Sequence, residues 1–303
     1  MKRIPFIFAL VVLLPVSLMA EKIKVVTTFL PIYAHTKSIA GDLADVRSLV
    51  ESGAEPHHFQ FKPSDMKKLK EANLIIINGL GIEDWLNKAL ENFTKDHKAI
   101  IDTSEGVDLL ENPEVIELTA ERQGDSHKHS ETEKGKNPHI WLDPVSAQIQ
   151  VRNILKGLQK VDPINAKAYQ TNAEIYLNEL GKLNQDFKNQ IEVLKNKNLI
   201  TFHDAFPYLA KRYGFKYIAC VEDFPEKSPS PQVIKSVVDL IRKNQVTTVF
   251  VEEGYSQRAL QAIAKESGAK IATLDTIEVG VSEADAYLKR MRSNLETLKL
   301  AWK

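Results

Sequence analysis

DPINAKAYQTNAEIYLNELGKLNQDFKNQIEVL, running from Asp162 to Leu194, separates two α/β halves of this chain. Asp162 is a good N-cap residue, and Pro163 suits the first helical position because its missing N–H is one that a helix start leaves unpaired. Beyond it, Tyr169, Ala173, Tyr176, Leu180, Leu183, Phe187, Ile191 and Leu194 recur at spacings of three and four, which puts them on one helix face. The pattern predicts a single helix of about 30 residues, roughly 45 Å long at 1.5 Å per residue. Its apolar stripe reads as a packing face, and a rigid helix of that length can act as a strut between two lobes.

On either side, β-rich runs alternate with helical patterns. The runs are Lys24 to Phe29, Val46 to Val50, Leu74 to Asn78 and Ala99 to Asp102 before the helix, then Leu199 to Phe202, Tyr217 to Val221, Thr247 to Glu252 and Lys270 to Leu274 after it. Strands alternating with helices predict parallel sheets covered by helices. The expectation is an α/β protein of two lobes, each with a parallel sheet flanked by helices, joined by one long rigid helix. The expected divisions are an N-terminal lobe at 21–160, the connecting helix at 161–196 and a C-terminal lobe at 197–303.

Residues 1–20 have the layout of a cleaved signal peptide: Lys2 and Arg3, an apolar stretch from Ile4 to Met19, and small Ala20 before Glu21. A membrane anchor would need about 20 uninterrupted apolar residues, and Pro5, Pro15 and Ser17 interrupt this stretch. The single cysteine, Cys220, is far from any lipidation position and cannot form an internal disulfide. A free periplasmic protein stabilised by core burial is therefore expected. The 40 basic and 40 acidic residues balance, which gives no basis for binding nucleic acid or an anionic membrane. From Ala120 to Asn137 the sequence AERQGDSHKHSETEKGKN contains no large apolar residue and reads as a loop that cannot join a core.

Eight histidines are present, so position must select among them. His57 follows the strand ending at Val50, His139 lies in Asn137-Pro138-His139-Ile140-Trp141, and His203 directly follows the strand ending at Phe202. Asp275 ends the strand that begins at Lys270. In open α/β sheets, ligands bind beyond the carboxyl ends of the strands. Three imidazoles and one carboxylate from four distant segments would make a closed N₃O site suited to Zn²⁺. Taken singly, each histidine also reads as a surface or hydrogen-bonded residue, and strand-end position narrows that alternative without closing it. Asp143-Pro144 reads as the cap and start of the next helix, which would hold His139 firmly.

Three motifs resemble the zinc and manganese solute-binding proteins of bacterial ABC transporters, over essentially the whole mature chain. They are Glu55-Pro56-His57-His58-Phe59-Gln60-Phe61-Lys62-Pro63-Ser64-Asp65, Asn137 to Pro144, and Phe202-His203-Asp204-Ala205-Phe206. The resemblance implies His57 rather than His58 as a ligand, together with His139 and His203. Histidine at the third position, where manganese-preferring members usually carry glutamate, implies zinc. Asp275 in Leu274-Asp275-Thr276 is the implied fourth ligand, with Glu252 and Glu253 in reserve. The 120–137 loop matches the position of a His-rich acidic insertion in zinc-type members, which makes His127 and His129 a secondary zinc site or only part of a solvated linker.

The function these features imply is a monomeric periplasmic protein that captures Zn²⁺ between its lobes and delivers it to an ABC permease in the inner membrane. Zinc is then cargo, and the protein is not an enzyme. Two alternatives remain: manganese transport, which three imidazoles disfavour, and a zinc hydrolase or lyase, which would need an open fourth position and lacks a His-Glu-x-x-His helix here.

Overall fold

The computed structural model describes residues 21–95, 98–111, 135–202, 204–221, 230–252 and 257–303. The first half runs β1 (Ile23–Thr27), α1 (Leu30–Ala40), β2 (Ala44–Ser48), α2 (Pro63–Glu71), β3 (Leu74–Ile77), α3 (Asn87–Lys95), β4 (Ala99–Asp102) and α4 (Pro144–Val161). The long helix α5 (Ala166–Ile191) follows. The second half runs β5 (Asn198–Thr201), α6 (Pro207–Tyr213), β6 (Lys216–Cys220), α7 (Pro231–Asn244), β7 (Thr248–Val251), α8 (Gln257–Ser267), β8 (Lys270–Thr273) and α9 (Ala286–Ala301).

All eight expected strands form, in two four-stranded sheets ordered β2-β1-β3-β4 and β6-β5-β7-β8, and every pairing is parallel. The strands are short and rich in β-branched residues, and both faces are buried, as parallel sheets require. Neighbouring residues point to opposite faces and so join different cores. Val25, Leu74 and Ile76 lie in one apolar cluster, while Val26 and Ile75 lie in another. In the second sheet, Leu199 and Phe250 face the first cluster, and Ile200, Val249 and Val251 face a third.

The long helix has 26 residues, about 39 Å at 1.5 Å per residue. It is shorter than the periodicity predicts because Pro163–Asn165 winds as a 3-10 turn and the helix ends at Ile191. Asp162 starts this region by accepting from the Asn165 amide and from the Tyr169 hydroxyl at 2.6 Å. All seven stripe residues from Tyr169 to Ile191 are buried, and Leu194 packs at the margin. The helix packs against α1 and α4 of the first half and α6 and α9 of the second. Burying each of the stripe's large side chains stabilises by about 1.5–3 kcal/mol. The two lobes are therefore sewn together along the helix by one continuous apolar cluster that runs from Val25 through Phe187 to Tyr287.

Expected strand ends differ by one or two residues from those observed. The second strand was expected at Val46 to Val50 and spans Ala44–Ser48. Leu49 and Val50 still donate to the carbonyls of Thr27 and Thr28 at 2.8 Å, so the chain stays alongside β1 before turning toward His57.

Candidate metal centre

The segment after β2 is held by local chemistry. The Glu55 carboxylate accepts from the His57 and His58 amides at 2.9 Å each, and the Trp85 indole donates to the Pro56 carbonyl at 2.9 Å. This turns His57 inward while His58 remains exposed. Asp143 accepts from the Val145 and Ser146 amides and caps α4, as its sequence predicts, and His139 is the N-cap of the one-turn 3-10 helix, Ile140–Leu142, just before it.

His57 and His139 come together with their ring centres 5.4 Å apart. Between them lies Glu278, from the turn after β8. Its Oε1 is 3.1 Å from His57 Nε2 and 3.2 Å from His139 Nε2. Among the described residues, these three form the one His/Cys/Asp/Glu group whose donor atoms all lie within 4.8 Å of one another. A tetrahedral zinc site with bonds of ~2.0–2.1 Å separates its donors by about 3.3 Å, close to the two spacings that Glu278 makes with the imidazoles.

Electrostatics favour the same occupant. Burial would raise the Glu278 pKa, but hydrogen bonds from His139 and His57 hold its carboxyl well below the usual range, so it stays ionised. For His57, burial lowers the pKa, and the Glu278 carboxylate outweighs it to give a net rise. For His139, burial prevails and the pKa falls, with Glu278 opposing. A buried anion facing two imidazoles attracts a divalent cation to complete its neutralisation.

Asp275, expected as the fourth ligand, is engaged otherwise. Its Oδ2 accepts from Arg290 Nε at 2.5 Å and its Oδ1 from the Ile277 amide at 2.7 Å. Asn294 grips the same residue through its backbone, accepting from the Asp275 amide and donating to its carbonyl, each at 2.8 Å. The carboxylate that meets His57 and His139 is thus Glu278, three residues further on. Strand periodicity ends at Leu274 and carries no information about the turn that follows, so only a carboxylate count across residues 275–285 could have raised Glu278 as a candidate. The turn is unusual: Ile277 is fully buried with φ of 64°, a conformation rarely adopted by a β-branched residue. The Trp141 indole, two residues beyond His139, donates to the Thr276 carbonyl at 2.8 Å and so ties this turn to the segment carrying His139.

His203, Glu253, His127 and His129 lie outside the described residues. Asp204, directly after His203, accepts at its carbonyl from the Asn137 side chain at 2.9 Å, which brings the end of β5 to the segment carrying His139. Glu252 is buried at the end of β7.

Comparisons with known proteins identify the family. The chain is 33% identical over 284 residues to the high-affinity zinc uptake system protein ZnuA of Bacillus subtilis, covering 92% of this chain and 87% of that protein. It is 32% identical over 290 residues to the zinc-binding protein AdcA of Streptococcus pyogenes, covering 92% of this chain but only 56% of that longer protein. The structure is similar to the Zn(II)-bound ZnuA-like domain of Streptococcus pneumoniae AdcA, with a TM-score of 0.78, 28% identity, and 93% and 99% of the two chains covered. It is equally similar, at a TM-score of 0.78, 28% identity and the same coverage, to FpvC of Pseudomonas aeruginosa in complex with Mn²⁺. A family model described as zinc-uptake complex component A, periplasmic, matches residues 25–301, and the chain belongs to that ZnuA family.

Proposed function

We propose that this protein captures Zn²⁺ at His57, His139, His203 and Glu278, between the two lobes, and hands it to the membrane permease of an ABC uptake system. The observation that carries this reading is the Glu278 carboxylate at 3.1 and 3.2 Å from two imidazole nitrogens. Similarity in fold does not choose the metal, since one neighbour holds zinc and another manganese. The donor set supports zinc: two or three imidazoles and one carboxylate suit a borderline cation better than harder Mn²⁺. In this reading Asp275 is not a ligand but holds the turn that presents Glu278.

The remaining parts of the proposal rest on the sequence. Residues 1–20 would be a cleaved leader, leaving a monomer in the periplasm with lobes at 21–160 and 197–303 and the connecting segment at 161–196. His127 and His129 would form a weaker secondary zinc-binding element. A zinc-hydrolase reading would need a fourth position open to water, and Glu278 fills one position between the imidazoles.

Titration calorimetry with zinc and manganese tests the main claim. Tight 1:1 zinc binding, much weaker manganese binding, and loss of zinc binding in a His57, His139, His203 triple alanine variant are expected. Equal affinity for both metals, or zinc binding that survives the triple change, would overturn it.

A further inference from the structure

We infer that Asn137 is the positioning residue that fixes which nitrogen of His139 faces the metal and joins that ligand to the segment after β5. This rests on the proposed zinc site and adds a residue to it that makes no contact with the metal.

The argument begins with which way the amide points. Asn137 is 1% exposed, so its polar atoms must find partners within the protein. Its side-chain oxygen lies 3.0 Å from the His139 backbone N–H, which can only donate. Its Nδ2 lies 2.9 Å from the Asp204 carbonyl, which can only accept. These two backbone partners set the orientation without reference to any imidazole ring. The same oxygen is also 3.0 Å from His139 Nδ1. An amide oxygen only accepts, so Nδ1 must carry the hydrogen. Nε2 is then the nitrogen that faces the Glu278 oxygen, at 3.2 Å. In the neutral ring that a cation needs, the hydrogen therefore sits on Nδ1 and the lone pair on Nε2.

The backbone of Asn137 is held as firmly as its side chain. Its N–H donates to the Leu110 carbonyl at 2.9 Å, and its carbonyl accepts from the Tyr208 hydroxyl at 2.8 Å. Tyr208 belongs to α6 in the second half of the chain, as Asp204 does to the turn before it. One residue therefore sets a ring tautomer and bridges the two lobes beside the site. Outer-shell partners of this kind typically change metal affinity by about 10–100-fold when removed.

The test uses the full-length protein and two substitutions. Asn137→Ala removes the acceptor and the side-chain arm of the bridge together, leaving the backbone contact to Tyr208. Asn137→Asp keeps an acceptor for His139 but sets a carboxylate oxygen against both the carbonyl and the carboxylate of Asp204, so it breaks the side-chain arm of the bridge while sparing the His139 contact. Zinc affinity would be measured by chelator competition, and the His139 Nδ1–H by ¹⁵N NMR of the zinc-loaded protein. The wild type is expected to show a protected Nδ1–H. N137A should lose that protection and bind zinc about 10–100-fold more weakly, while still unfolding in one cooperative transition. N137D should keep the Nδ1–H signal and bind more tightly than N137A. Zinc affinity in N137A within twofold of wild type, alongside loss of binding in His139→Ala, would overturn this inference alone. If His139→Ala itself left zinc binding intact, the site reading and this inference would fall together. Should N137A fail to fold, loss of the Nδ1–H signal in N137D would be the overturning result and its retention the supporting one.

Discussion

Asp275 and Arg290 form a clamp on the turn that delivers Glu278. Arg290 donates through Nε to the Asp275 carboxylate and through Nη1 to the Val279 carbonyl, each at 2.5 Å, so one guanidinium spans the turn on both sides of Glu278. The other Asp275 oxygen caps the Ile277 amide, at the residue with the strained positive φ.

This division of labour predicts different costs for the two carboxylates. Glu278→Ala removes a donor and should weaken zinc binding by more than 100-fold. Asp275→Ala leaves the donor in place but loosens its support, and should weaken binding by about 10–100-fold. Zinc competition titrations on the two variants decide the matter. A larger loss for Asp275→Ala than for Glu278→Ala would restore Asp275 as the ligand.

Gly280 adds a steric prediction at the same turn. It has φ of 152°, and a Cβ there would stand 2.5 Å from Arg290 Nη1 and 3.2 Å from Leu30 Cδ2. An arginine tip could ordinarily move aside, but this one is pinned at two points. Gly280→Ala should therefore destabilise the protein by about 1–3 kcal/mol and weaken zinc binding through the displaced clamp. Unchanged stability in a urea melt would show that Arg290 yields freely.

His35 makes stability depend on pH. It is fully buried between the lobes, with Nδ1 2.9 Å from the Tyr176 hydroxyl and its ring 4.5 Å from that of Tyr287. Burial lowers its pKa from 6.5 to about 3. The unfolded chain therefore takes up a proton below pH 6.5, whereas the folded protein does so only near pH 3. The contribution is fully present above 6.5 and declines as pH falls toward 3, with a limiting slope of about 1.4 kcal/mol per pH unit. The stability difference between wild type and His35→Gln, measured by denaturant unfolding of metal-free protein, should shift toward the variant between pH 6.5 and 4. A flat difference over that range would contradict the assignment.

Arg212 and Asp143 join the lobes on a different line. Arg212, from α6, donates through Nε and Nη2 to the carboxylate that caps α4, with the shortest contact 2.7 Å. Asp143 is buried while Arg212 is partly exposed, so the pair is worth less than a fully buried one. Arg212→Ala should cost about 1–3 kcal/mol, because Asp143 keeps its bonds to the Val145 and Ser146 amides and the Ser146 hydroxyl. Thermal unfolding that matches wild type would exclude a structural role for the pair.

The periodicity of Tyr169 to Ile191 and the β-branched runs were enough to set out two parallel sheets and the helix between them. Helix and strand periods are local properties, and every stripe residue from Tyr169 to Ile191 is buried where its spacing says it should be. His57 and His139, which the structure brings together, stood out for a related reason: His57 follows β2, and His139 lies just before the Asp143 cap of α4. Two features were not legible, because each depends on contacts between segments far apart in the chain. One is the single apolar cluster that crosses between the halves and makes them one packed body. The other is the choice of Glu278 over Asp275, which follows from Arg290 and Asn294 on α9 and Trp141 from the other lobe holding a turn with no period of its own. Sequence alone determined which elements form. Only the tertiary structure decided which carboxylate reaches the two imidazoles, because a side chain's direction beyond a strand end is set by what packs against the turn.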